Sequence, residues 1–187
     1  MTSIDNNIVK IVEVGPRDGL QNEKTPLTLE QRKALIVDLM QTGLSSIEVG
    51  SCVSAKWVPQ MANSDQLFAD LPQDPKIGFS LLTPNLKGFE SALAVGCQEV
   101  AVFTAASESF TRKNINCSID ESFEKFADVL AAAKSNNIKV RGYVSCIVDC
   151  PYEGAIDPKQ VAKVTQRLYD MGCYEVSLGE TIGTATP

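Results

Sequence analysis

Histidine is absent from all 187 residues. That removes the commonest general base near neutral pH and the commonest transition-metal ligand together. No N-terminal stretch joins a basic region to a long apolar run, so no secretory signal is read. No apolar segment approaches the roughly 20 residues of a membrane helix. Thr2 stands where a myristoylation signal requires glycine. A transit-like segment is missing too, which favours a cytoplasmic (bacterial) location over a mitochondrial one. The six cysteines, Cys52, Cys97, Cys117, Cys146, Cys150 and Cys173, form no CxxC pair and read as reduced thiols that fill the core. A net charge of −6 argues against a nucleic-acid groove, which needs a concentrated basic face. It leaves room for an anionic substrate held by a few local Arg or Lys residues.

What is present has the balance of a soluble globular protein, with 44% apolar and 21% charged residues. Short β-branched runs alternate with segments of helical period. The predicted strands are Ile8–Val14, Ser46–Val49, Lys76–Leu82, Glu99–Thr104, Lys139–Val148 and Tyr174–Leu178. Between them, helices are expected over Thr28–Thr42, Asn63–Ala69, Leu86–Val95, Ser118–Asn136 and from Asp157-Pro158 to Met171. Ser118 stands three residues before Glu121, the capping-box spacing. Ala105–Cys117 reads as a polar loop.

No linker or low-complexity tract interrupts residues 1–187, which read as one domain. Repeated strand–helix units imply a parallel sheet with right-handed crossovers. An open doubly wound sheet and a closed (β/α)₈ barrel then compete. The Gly-rich dinucleotide fingerprint is missing after the first strand, where Gly15-Pro16-Arg17-Asp18-Gly19 stands instead, which takes weight from the open sheet. Polar residues cluster after most strands, the face where barrel enzymes keep their chemistry. A barrel needs eight strands and about 250 residues, whereas the sequence stops at Pro187 shortly after the sixth. The reading is therefore the first six β/α units of a TIM barrel.

The sharpest segment for chemistry is Val14-Gly15-Pro16-Arg17-Asp18-Gly19-Leu20-Gln21-Asn22-Glu23. A strand ends in a Gly-Pro break and sets an arginine, a carboxylate and an amide at its mouth. The carboxylate suits a hard divalent cation and the arginine an oxyanion; a solvated salt bridge in a turn is the plainer alternative.

This segment resembles the signature of the 3-hydroxy-3-methylglutaryl-CoA lyases, among the metal-dependent barrel lyases and aldol synthases that begin with an Arg-Asp pair on strand one. Ser54-Ala55-Lys56-Trp57-Val58-Pro59-Gln60-Met61 is similar to the family's strand-two loop, with Ala55 in place of proline. Leu82–Phe89, Lys113–Ser118, Arg141–Cys146, Cys150–Gly154 and Gly172–Gly183 are also similar to family segments, in order and with few gaps.

The resemblance implies that Asp18 is a ligand to Mg²⁺ or Mn²⁺ and that Arg17 stabilises the enolate oxygen as the thioester product forms. Glu48, with Gln21, would line the metal and substrate pocket. Ser51, Ser177 and Glu180 would contact substrate, with Glu180 standing where the family usually has Asp. For each the plainer alternatives are salt bridges and helix caps. Arg112, Lys113 and Asn114 are candidates for the CoA phosphates or for a solvated loop. Cys150 resembles the cysteine of the family's acid/base loop but falls after strand five, which points to a structural role.

The implied reaction is a metal-assisted retro-aldol (Claisen-type) cleavage of 3-hydroxy-3-methylglutaryl-CoA to acetyl-CoA and acetoacetate. The family's two histidines, its asparagine and its cysteine loop would all lie beyond Pro187, so the 187 residues alone are expected to be inactive. Exposed sheet edges would favour a homodimer. A related hydroxyacyl-CoA lyase or aldol-type synthase, and a non-catalytic assembly subunit, are the alternatives. No nucleic-acid or membrane partner is expected.

Overall fold

The computed structural model describes residues 9–186. After a π-turn at Gly15–Gly19 come helix α1 (Leu29–Met40), strand β1 (Ser46–Ser51), a 3₁₀ turn at Pro59–Met61 and helix α2 (Ser64–Ala69). Strand β2 (Gly78–Leu82), helix α3 (Leu86–Ala94) and strand β3 (Glu99–Ala105) follow. Helices α4 (Glu108–Ile115) and α5 (Ile119–Ser135) then precede strand β4 (Lys139–Ser145). Two short strands, β5 (Asp149–Cys150) and β6 (Gly154–Ala155), lead to helix α6 (Pro158–Met171) and strand β7 (Glu175–Gly179).

The main sheet has the order β1-β2-β3-β4-β7, every pair parallel. Each strand lies beside the one before it in this series, with no reversal of direction across the sheet. A doubly wound sheet reverses at a switch point and places helices on both faces. Here the helices cover one face, and the described strands form an arc of barrel wall.

Alternation along the strands sorts side chains between two layers. Ile47, Val49, Phe79, Leu81, Val100, Val102, Val140 and Val144 pack with Ile36, Phe89, Phe126 and Leu168 of the helices in one continuous core. Gly142 admits Leu168, whose Cδ1 would stand 2.8 Å from an added Cβ. Intervening residues, among them Glu48, Ser80, Tyr143 and Ser177, face the barrel interior.

Helix ends follow local chemistry. Thr28 forms a capping box with Gln31, and Ser118 forms one with Glu121. Pro158 occupies the first turn of α6, and Gly172 ends it with φ +109°, a conformation open to glycine.

Three expectations differ from what the structure contains. The first strand appears only as a parallel bridge between Glu13 and Ile47. Glu13 N–H donates to Ser46 O at 3.0 Å, and Glu48 N–H donates to Glu13 O at 2.8 Å; Ile8 lies outside the described residues. The polar stretch read as a loop contains α4, whose N-cap Ser107 accepts from Phe110 N–H at 3.0 Å. The fifth strand ends at Ser145 rather than Val148, because Cys146 turns to φ +57°.

No helix among the described residues is long and apolar enough to cross a membrane. All six cysteines are free thiols, five of them buried.

Candidate active site at the mouth of the sheet

The Gly15–Gly19 turn fixes where Arg17 goes. Arg17 N–H and Asp18 N–H both donate to Val14 O, at 3.0 and 2.7 Å. This tight wrap carries the Arg17 side chain inward, where the residue is 8% exposed, and leaves Asp18 at the surface.

Arg17 Nε donates to Glu48 Oε1, and Nη1 donates to Asp18 Oδ1 at 2.6 Å. Glu48 is fully buried, and its second oxygen accepts from the Tyr143 hydroxyl at 2.8 Å. The Tyr143 ring lies 5.4 Å from the Arg17 guanidinium carbon and 5.6 Å from that of Arg141, in cation–π range. Arg141 in turn pairs with Glu175.

Burial opposes the charge on Arg17, but the attraction and hydrogen bond of Glu48, aided by Asp18, outweigh it and hold the guanidinium above its ordinary pKa. Burial, reinforced by the Glu48 charge, pushes the Tyr143 phenol up, so Tyr143 stays a neutral donor. Arg17 Nη2 makes no hydrogen bond among the described residues and has donors to offer a substrate oxygen.

Beside this cluster is a cavity of about 340 Å³, lined by Gln21, Ser51, Leu82, Phe103, Asn114 and Lys125 among others. The Ser51 hydroxyl is buried with no hydrogen-bond partner. Ser177 pairs in register with Tyr143 and shares its face. Arg17 and Glu48 are thus joined directly, Gln21 and Ser51 line the cavity, and Ser177 lies on the same face of the sheet as Tyr143.

Glu180 is held otherwise. Its carboxylate accepts from the backbone N–H groups of Ile182 (3.4 Å), Gly183 and Thr184 (3.3 Å). Desolvation opposes ionisation there, but those N–H groups prevail and lower its pKa. Lys113 lies 3.6 Å from the Tyr152 ring centroid and Arg112 is 3.9 Å from Glu108, while Asn114 reaches the cavity. Cys150 is buried against Ala105, Phe110 and Cys146 and accepts from the Ser107 hydroxyl at 3.0 Å.

Sequence reasoning missed Tyr143. The available signal was parity, since Arg141, Tyr143 and Ser145 alternate with Val140, Gly142 and Val144 on one strand.

The donor set does not amount to a resident metal site. Asp18 gives Oδ1 to Arg17 and both oxygens of Glu48 are engaged. No group of three or more His, Cys, Asp or Glu among the described residues could hold an ion. Asp18 remains a single hard oxygen donor.

Against known proteins, the chain is 58% identical over 179 residues to the hydroxymethylglutaryl-CoA lyase of Pseudomonas mevalonii, covering 96% of this chain and 60% of that one. It is also 58% identical to the 3-hydroxy-3-isohexenylglutaryl-CoA/hydroxy-methylglutaryl-CoA lyase of Pseudomonas aeruginosa, covering 95% of this chain and 59% of the relative. A solved HMG-CoA lyase from Acinetobacter baumannii, in complex with coenzyme A and 3-methylmalate, superposes with a TM-score of 0.93 at 29% identity. That match covers 100% of this chain and 61% of the other. The chain thus spans about 60% of the length of these relatives, whose fold supports reading its parallel arc as TIM-barrel wall. The HMGL-like family model matches residues 8–187, and the chain belongs to that family.

Proposed function

We propose that the protein is a carbon–carbon lyase that cleaves 3-hydroxy-3-methylglutaryl-CoA to acetyl-CoA and acetoacetate. The observation that carries the reading is Arg17, held by buried Glu48 and Tyr143 near a largely apolar cavity into which Gln21, Ser51 and Asn114 bring polar groups, in a chain of the HMGL-like family.

In this reaction the 3-hydroxyl proton leaves, the C2–C3 bond breaks, and the electron pair passes to the thioester as an enolate. Acetoacetate departs and a proton then reaches C2 to give acetyl-CoA. Negative charge grows on the thioester oxygen, and a fixed guanidinium aimed at that oxygen stabilises the transition state more than the ground state. Glu48 and Tyr143 hold Arg17 in orientation before substrate arrives, so little reorganisation is required during the reaction. Gln21, Ser51 and Ser177 supply neutral hydrogen bonds to the substrate's polar groups, and Asn114 adds an amide to the cavity lining. Glu180 acts at one remove by shaping the 180–184 turn.

Asp18 would contribute one ligand to a Mg²⁺ or Mn²⁺ ion, and no step above depends on that ion.

The test is calorimetric titration with 3-hydroxy-3-methylglutaryl-CoA and an assay for acetoacetate. Saturable binding, with acetoacetate and acetyl-CoA in equal amounts wherever turnover occurs, supports the reading. Failure of the thioester to bind contradicts it. Comparing the isohexenylglutaryl thioester in the same assay defines the range of acyl chains accepted.

A further inference from the structure

We propose that Arg32, on α1, is a positioning residue that acts through Ser64 to hold a β-bulge at the end of β1, turning Ser51 onto the same face as Glu48. The part of this inference that concerns substrate rests on the lyase reading above.

The register between β1 and β2 carries the argument. Glu48 pairs with Ser80, Gly50 with Leu81 and Ser51 with Leu82, with an irregularity between Glu48 and Gly50. Val49 is the extra residue. In a regular strand Glu48 and Ser51, three positions apart, would face opposite sides of the sheet. The extra residue reverses that parity, so that Ser51 shares the inward face of Leu82 and Glu48. A bulge at an active site re-aims a side chain in this way.

Val49 and Gly50 consequently both face the helix layer. A Cβ on Gly50 would lie 2.5 Å from Ser64 Oγ and 3.0 Å from Arg32 Nη2. The close approach is used: Ser51 N–H donates to Ser64 Oγ at 3.1 Å, and Ser64 Oγ donates to Met61 O at 2.7 Å. Arg32 Nη2 donates to Ser64 Oγ at 2.9 Å, and Nη1 donates to Ala62 O at 2.8 Å.

Arg32 is 2% exposed, and its Nε has no partner. Among the described residues it forms no salt bridge. Burial alone lowers its pKa. An unpaired buried cation is costly, and the contacts that retain this one all lead to the loop behind Ser51.

The test compares the wild-type chain with Arg32→Met, Arg32→Lys and Ser64→Ala. Methionine suits the cavity left by arginine, because apolar replacement of buried charge is often tolerated. Two readouts are taken: exchange of the Ser51 amide hydrogen by NMR, with the Val100 amide as internal reference, and affinity for 3-hydroxy-3-methylglutaryl-CoA.

Arg32→Met and Ser64→Ala are expected to speed Ser51 exchange roughly fivefold or more, as loss of one hydrogen bond implies. Both should weaken thioester binding while Val100 exchange stays unchanged, and Arg32→Lys should restore part of each effect. Unchanged Ser51 exchange overturns the proposal. So does faster exchange with unaltered affinity, which would leave Arg32 a purely structural residue. If the wild-type chain does not bind the thioester, the lyase reading fails by itself, and the exchange data still decide whether Arg32 holds the bulge.

Discussion

Glu48 has no room for an idle oxygen: one is taken by Arg17 and the other by Tyr143. Removing either partner leaves a buried charge short of a hydrogen bond. Tyr143→Phe is expected to lower stability by about 1–2 kcal/mol, read as a shift in the urea midpoint, and to weaken thioester binding by freeing Arg17 to reorient. Glu48→Ala leaves the Arg17 cation with exposed Asp18 as its remaining carboxylate partner and should cost about 2–3 kcal/mol; a change below about 1 kcal/mol, the worth of an exposed pair, would show that the pair is not buried in solution. Arg17 and Asp18 stood out in the sequence because they follow a Gly-Pro break at the end of an apolar run, while the roles expected of them came from the family resemblance. Tyr143 was hidden, since an aromatic within a strand reads first as core. The setting of Ser51 was hidden more deeply, because a bulge is an exception to the period from which faces are read.

At the scale of elements, the strand–helix alternation was readable wherever apolar periodicity and a cap coincided. Helix α5 has both, with the Ser118–Glu121 box at its start and Phe123, Phe126 and Val129 on its buried side. Ser118→Ala should cost about 1 kcal/mol in urea unfolding, with no effect on thioester affinity; an equal loss in both would tie the cap to the site. Helix α4 escaped notice because only Phe110 and Thr111 of its residues are buried. Its start is secured from a distance, by Glu153 accepting from Ser109 N–H at 2.7 Å, a contact that no local pattern announces. The first strand was over-read for the opposite reason: its apolar run is real, but among the described residues Glu13 alone pairs with β1.

For the whole molecule, buried thiols link stability to pH, Cys146 raised to about 11 by burial and three others further. Burial, aided at Cys52 by the Asp65 charge, raises Cys52, Cys97 and Cys173 to about 12. In the unfolded chain they ionise near about 8.5. Between those values the unfolded state has released protons that the folded state retains, so stability falls as pH rises, by up to about 1.4 kcal/mol per pH unit for each thiol. Urea midpoints at pH 8 and pH 10 should show this fall, and Cys97→Ala should reduce its slope; equal midpoints would contradict the assignment. The most direct measurement is calorimetric titration of 3-hydroxy-3-methylglutaryl-CoA into the wild-type chain and into Arg17→Lys, which keeps the charge but loses the fork shared with Glu48 and Asp18. The account predicts one saturable site in the wild type and at least about tenfold weaker binding in the variant, a difference of about 1.4 kcal/mol. Equal affinities would remove Arg17 from the site and contradict the account.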